Sequence, residues 1–169
     1  MDERKDDELV ILSRKDKENF ARIVNRYKNR VYNIAYNYFY DYDEANDCAQ
    51  EAFVKVYKSL SSYKLGTNFK AWLFRITHNL CIDRIRKKKK EIRLEDNPEI
   101  IPYSEDDPDI KLSLEEAVGK LSPEYRAIIG LRYQEDLSYE EISKVMNIPI
   151  GTVKTWLFRA KGALKKNLQ

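Results

Sequence analysis

The stretch LSYEEISKVMNIPIGTVKTWLFRAKGAL (residues 137–164) holds two short helical patterns separated by a turn. Ser138 is followed three residues later by Glu141, the spacing of a capping box. The hydroxyl accepts from a free N–H of the first turn, and the carboxylate reaches back to the cap. Ile142, Val145 and Met146 then recur at three- and four-residue intervals, so they share one helix face. NIPIG, with Pro149 and Gly151, punctuates the chain. Thr152 is expected to cap a second helix. By the 3.6-residue period, Val153, Leu157, Ala160 and Leu164 line its buried side, while Lys154, Thr155, Phe158, Arg159 and Gly162 fall on the other. Two short helices joined by a tight turn form a helix-turn-helix, whose second helix enters the DNA major groove. The outward set suits that task. Arg reads guanine, Thr and Phe meet thymine methyl or backbone, and Lys meets phosphate.

Working outward, Ser122 followed by Pro123 and Glu124 marks another helix start. Before it lies EIRLEDNPEIIPYSEDDPDIKL (residues 91–112), with three of the five prolines, eight acids and no sustained period. This is a linker composition. Further back, Phe20, Ile23, Val24, Tyr27, Val31, Ile34, Ala35 and Tyr38 form a helical stripe from Lys17 to about Tyr40. DYDEAND breaks it, with Asp43 as the expected cap of the next helix. Ala49, Phe53, Val56, Tyr57 and Leu60 make the next stripe. SSYKLGTN is a loop, and Asn68 or Thr67 caps the helix that follows. No segment alternates as a strand would. The expected fold is all-α, with an N-terminal helical bundle (residues 1–90), an acidic flexible linker (91–112) and a C-terminal helix-turn-helix domain (113–169).

The composition fits this reading. The chain has 169 residues, 43% of them apolar, with five Gly and five Pro. Net charge is only +3, but it is unevenly spread. Residues 1–90 carry 20 Lys/Arg against 13 Asp/Glu, residues 91–112 carry 2 against 8, and residues 113–169 carry 9 against 7. A basic piece, an acidic connector and a mildly basic piece suit a protein that lies along a polyanion. Cys48 and Cys81 sit far apart with no CxxC spacing, so neither a zinc knuckle nor a disulfide framework is expected. No apolar run is long enough for a membrane helix, and a cytoplasmic location is expected. One histidine, no calcium-loop spacing in DYDEAND and no phosphate-cradling glycine loop leave no catalytic constellation, metal, cofactor or small-molecule substrate to expect.

The remaining signal is NFKAWLFRITHNLCIDRIRKKKK (residues 68–90), which begins aromatic and ends with six basic residues in seven. Single-stranded nucleic acid wants both chemistries, since bases stack on rings and phosphates bind cations. Phe69, Leu73, Ile76 and Leu80 can pack inward, leaving Asn79 and Asp83 on another face. His78 reads as an exposed bystander and Trp72 as core.

The order of these parts resembles the small two-domain sigma factors of bacterial RNA polymerase, the extracytoplasmic-function group. DCAQEAFVKVY resembles that family's core-binding segment, FKAWLFRITHNLCIDRIRK its promoter-melting helix and GTVKTWLFRAK its upstream-element reader. The resemblance implies a protein that binds core polymerase and promoter DNA and does no chemistry itself. It reads a −35 element as duplex and a −10 element as melted strand. Asp47, Gln50, Glu51 and Lys55 would face the β′ coiled coil, whose basic surface suits acids and amides. The β flap is a second implied polymerase contact. Tyr63, Lys64 and Asn68 would form the base-pocket loop, Asn79 and Asp83 would meet the flipped base, and Arg84, Arg86 and Lys87 to Lys90 would hold phosphates. Thr152, Lys154, Thr155, Phe158 and Arg159 would read the −35 element. An anti-sigma partner is also implied. In the family the acidic linker threads near the polymerase active centre, but the residues alone fit a plain tether equally. A polymerase-independent helix-turn-helix regulator, dimeric on a palindromic site, is the alternative.

Overall fold

The computed structural model describes residues 3–94 and 113–169, and every regular element among them is helical. Helices α1 (Glu3–Lys15), α2 (Phe20–Phe39), α3 (Tyr42–Ser59) and α4 (Phe69–Leu94) form the first domain. Helices α5 (Leu114–Gly119), α6 (Pro123–Ile129), α7 (Tyr139–Met146) and α8 (Ile150–Leu168) form the second. Helix α4 runs four residues past the expected boundary at 90, and the rest of the linker lies outside the described residues.

The stripes bury as expected. Ile23, Tyr27, Val31, Ile34 and Ala35 of α2 face Ala45, Cys48, Ala49, Ala52 and Phe53 of α3 across a core closed by Leu73 and Phe74 of α4. The alanines of α3 let the neighbouring backbones approach closely. The Tyr27 hydroxyl donates to Asp6 at 2.5 Å, and Arg26 reaches the same carboxylate at 2.7 Å. A buried polar group is thereby satisfied rather than stranded. Cys48 and Cys81 are both buried, their sulfurs 3.5 Å apart across the α3–α4 seam. Trp72 is half-buried, 5.2 Å from the Tyr63 ring and 5.7 Å from Phe69, as a core residue would be.

Capping sets the helix boundaries, with two corrections to the sequence reading. The cap of α3 is Asp41, whose carboxylate accepts from the Glu44 N–H at 2.9 Å. Asp43 lies inside the first turn, where its charge still favours the positive end of the helix dipole. Helix α8 begins at Ile150, two residues before Thr152, because Pro149 takes the extended conformation a cap requires and its carbonyl accepts from Val153 at 3.0 Å. Asn68 caps α4 by accepting from the Ala71 N–H at 3.0 Å. Ser122 caps α6, and the Ser138–Glu141 box forms as read. A second box, Ser113 with Glu116, opens α5. Helix α6 continues into a wide π turn, Gly130–Gln134, and Asp136 then takes a left-handed conformation at φ 54°.

The two domains pack directly against each other, α4 on α7 and α2 on α6. The guanidinium of Arg126 is buried there, with four hydrogen bonds to carbonyls. Nε donates to Asn37 at 2.7 Å and Nη2 to Tyr38 at 2.9 Å, while Nη1 donates to Leu121 at 2.5 Å and Gly119 at 3.3 Å. Asn37 and Tyr38 belong to the last turn of α2, whose carbonyls have no partner within the helix. An arginine of the second domain thus caps a helix of the first. Burial lowers its pKa, yet an arginine stays charged, so its bonds must offset the lost hydration.

Candidate nucleic-acid interface

Helix α8 presents the outward face as read. Val153, Leu157 and Ala160 are buried, whereas Lys154, Thr155 and Arg159 are exposed and Thr152 is partly covered. Phe158 is 80% exposed. Holding a bare phenyl ring in water forgoes the free energy of burying it, on the order of 1.5–3 kcal/mol. The ring lies on the same exposed face as Lys154, Thr155 and Arg159. The Thr155 hydroxyl donates to the Gly151 carbonyl at 3.0 Å.

Helix α4 and its preceding loop divide the predicted set. Lys64, Asn79, Asp83, Arg86 and Lys87 are exposed. Tyr63 is not: it is buried, and its hydroxyl donates to the Thr67 carbonyl at 2.7 Å and to Asp7 at 3.1 Å. It braces the loop from beneath and leaves the surface to its neighbours. The Asn68 side-chain amide, beyond its capping bond, donates to Glu141 of α7 at 3.2 Å. Asn79, Asp83 and Arg86 line one wall of a cleft of about 690 Å³ between the domains. Its other wall is the helix-turn-helix turn, Met146, Asn147 and Ile148, with Trp156 of α8.

His78 reverses its expected place. It is buried rather than exposed, and its Nδ1 pairs with the hydroxyl of Tyr38 on α2. Burial, reinforced by the cations of Arg75 and Arg86, lowers its pKa from 6.5 to about 4, so at neutral pH it is an uncharged core residue. Tyr38 is wholly buried and its pKa is raised well above 10 by that burial, so the hydroxyl keeps its proton.

On α3, Asp47, Gln50, Glu51 and Lys55 are all exposed, on one side of the helix. Glu51 is not independent of α4. Arg84 donates to it at 2.6 Å and reaches Glu44 at 3.5 Å, and Lys88 also pairs with Glu44. The acids expected to face polymerase and the cations expected to hold DNA therefore meet along one seam. Sequence reading missed Glu44, although its seven-residue spacing from Glu51 puts the two on one helix face. Among the described residues no cluster of His, Cys, Asp and Glu could hold a metal ion, and no helix is long and apolar enough to cross a membrane.

Comparison with known proteins agrees with this geometry. Residues 23–91 match the family Sigma-70 region 2, and residues 111–164 match Sigma-70, region 4. The chain is 37% identical to the ECF RNA polymerase sigma factor SigW of Bacillus subtilis, covering 91% of each chain. It is 30% identical to the RNA polymerase sigma-H factor of Pseudomonas aeruginosa, covering 94% of this chain and 90% of the other. Among solved structures, it superposes on the sigma factor RpoE of Bartonella quintana, in complex with the anti-sigma factor NepR. That match has a TM-score of 0.73 at 26% identity, over 89% of this chain and 97% of that one. CnrH, solved with the cytosolic domain of CnrY, shares the fold, with a TM-score of 0.70 at 22% identity, over 95% of each chain.

Proposed function

Because the chain belongs to the extracytoplasmic-function sigma factors of the sigma-70 superfamily, we propose that it directs core RNA polymerase to promoters by reading a −35 element with α8 and a melted −10 element with α4. The observation that carries the reading is the outward face of α8. Lys154, Thr155, Phe158 and Arg159 are free for the major groove, and Phe158 is bare. In this reading Arg159 supplies base recognition through a paired contact to guanine, and Lys154 supplies charge to the phosphates. Asn79 offers a donor and an acceptor to an unstacked base, with Asp83 beside it. Arg86 and Lys87 to Lys90 hold the backbone beyond. Asp47, Gln50 and Glu51 present carboxylates and an amide to a basic polymerase surface. No residue takes part in bond chemistry, so the protein acts by binding alone. The first domain ends with α4 and the second begins near residue 113, with the acidic segment as the connection in sequence between them.

One solved relative, RpoE of Bartonella quintana, was captured with an anti-sigma factor, and a partner of that kind fits this chain as well. The test is run-off transcription with purified bacterial core polymerase and a promoter library. Transcripts from a defined subset, absent with core alone, are expected. A polymerase-independent regulator would instead bind a palindromic duplex by itself, as a dimer, and give no such transcripts.

A further inference from the structure

Cys48 of α3 and Cys81 of α4 are the chain's two cysteines, and both are wholly buried. They come from different helices, yet their sulfurs meet at 3.5 Å. A disulfide needs about 2.0 Å between its sulfurs and two backbones that approach closely. On α3 the second condition is met, because Ala45, Ala49 and Ala52 flank Cys48 on the buried side. The first needs a closure of about 1.5 Å, shared between two short side chains.

The surroundings make the two thiols unequal. The hydrogen bond from Cys81, aided by the Arg84 guanidinium, holds the Cys48 thiol below its ordinary pKa against the effect of burial. The same bond, together with burial, pushes the Cys81 thiol up. Cys48 is therefore the nucleophile and Cys81 its proton-bearing partner. Neither sulfur reaches solvent, so only an oxidant about the size of water can arrive. A groove of about 630 Å³ opens on the same seam, bounded by Glu44 and Glu51 of α3 and Leu80, Arg84 and Lys88 of α4. The ion pairs across it, Arg84 with Glu51 and Lys88 with Glu44, are solvated and cost little to open, which makes the groove the route inward.

We propose that Cys48 and Cys81 are an oxidation site, a thiol pair that hydrogen peroxide converts to a disulfide stapling α3 to α4. The Cys48 sulfur attacks one peroxide oxygen and the O–O bond breaks. The Cys48 proton leaves with the departing hydroxide as water, and Cys48 becomes a sulfenic acid. The Cys81 sulfur then attacks the Cys48 sulfur, the S–O bond breaks, and the hydroxide leaves as water with the Cys81 proton. The two thiols together lose two electrons, and one peroxide gains them. A dithiol reverses the step by exchange. The bond ties the helix of Asp47, Gln50 and Glu51 to the helix of Asn79 and Asp83. Its consequence for polymerase and promoter rests on the proposed function; the bond itself does not.

The test treats the full chain with hydrogen peroxide while circular dichroism shows that it stays fully helical. In a tryptic map, Val31–Lys55 should appear joined to Ile76–Arg84, two hydrogens lighter than their sum, and dithiothreitol should separate them. The product should run as a monomer on a non-reducing gel. The bond closes a loop across 33 positions, so the melting temperature should rise by roughly 10 °C and return on reduction. Cys81→Ala should stop at a sulfenic acid on Cys48, trapped by dimedone, with no rise in melting. If that variant does not fold, the wild-type map decides alone. A folded chain that keeps both thiols free, takes up oxygen at either cysteine without cross-linking, or dimerises overturns the site. A disulfide that leaves the melting temperature unchanged or lowers it overturns the staple. The map and the melting judge the bond, and the run-off assay separately judges the sigma reading.

Discussion

Lowering the pH from 7 to 5 should destabilise the first domain through one residue. His78 is the only histidine in the chain, and burial holds its imidazole at a pKa of about 4 against an ordinary 6.5. Above pH 6.5 both folded and unfolded states carry it neutral. Below that, the unfolded chain takes up a proton that the folded one refuses. Stability therefore falls as pH drops from about 6.5 to about 4, and this contribution levels off beneath. The full depression corresponds to about 3 kcal/mol, of which about 2 kcal/mol is lost between pH 7 and 5. Urea denaturation at pH 7, 6 and 5 should show the midpoint falling with an unchanged slope. In His78→Gln, a neutral side chain that can still accept from the Tyr38 hydroxyl, that part of the fall should vanish. Proton NMR offers an independent check, because the folded protein has a single imidazole Hε1 resonance and it should not move between pH 7 and 5. A resonance titrating near 6.5, or identical pH dependence in wild type and His78→Gln, would refute the reasoning.

Glu51→Arg should weaken binding to core polymerase in a titrated pull-down. It also severs the pair with Arg84, but Glu51 is half exposed, so stability should change by less than about 1 kcal/mol; unchanged core affinity counts against this face. Arg159→Ala should cost about 1–3 kcal/mol at one upstream base pair, whereas Lys154→Ala should weaken all duplexes and lower the salt slope by about one unit. Equal losses on cognate and scrambled −35 DNA would remove Arg159 from the readers. Asn79→Ala should lose about tenfold to a hundredfold of open complex, from the roughly 1–3 kcal/mol of base polar groups left unpaired. Permanganate reactivity at the −10 element should drop while DNase protection at the −35 element persists. Wild-type opening with unchanged base preference would show that this helix face is wrongly assigned.

The helix stripes were legible because a 3.6-residue period survives in any helix with one buried side, and the box at Ser138 because its logic is local. What failed was whatever depends on a second element. His78 sits on α4 with polar and basic neighbours in sequence. Only the approach of Tyr38 from α2 makes it a core residue. The resemblance puts Tyr63 in a base-pocket loop, but Asp7 from α1 and the Thr67 carbonyl hold it inside. Asp41 and Asp43 compete for one cap, and the left-handed turn at Tyr40 decides between them. The role of Arg126 is the most remote from sequence, since its acceptors are carbonyls nearly ninety residues away that carry no side-chain signature. By contrast, the residues expected to read the −35 element all lie on α8, so the helical period alone is enough to put them on one face.

The chain's two tryptophans fall one to each domain, and their surroundings differ. Trp72 is wedged among Tyr63 and Phe69, where parting the domains changes little, while Trp156 forms part of the wall between them. Their intrinsic emission is therefore a pair of optical reporters with separable assignments. With Trp72→Phe the remaining fluorophore watches the cleft between the domains, and with Trp156→Phe it watches the melting of the bundle. Changes at the cleft and unfolding of the bundle can then be timed separately by stopped flow, with no dye attached and both buried thiols left untouched.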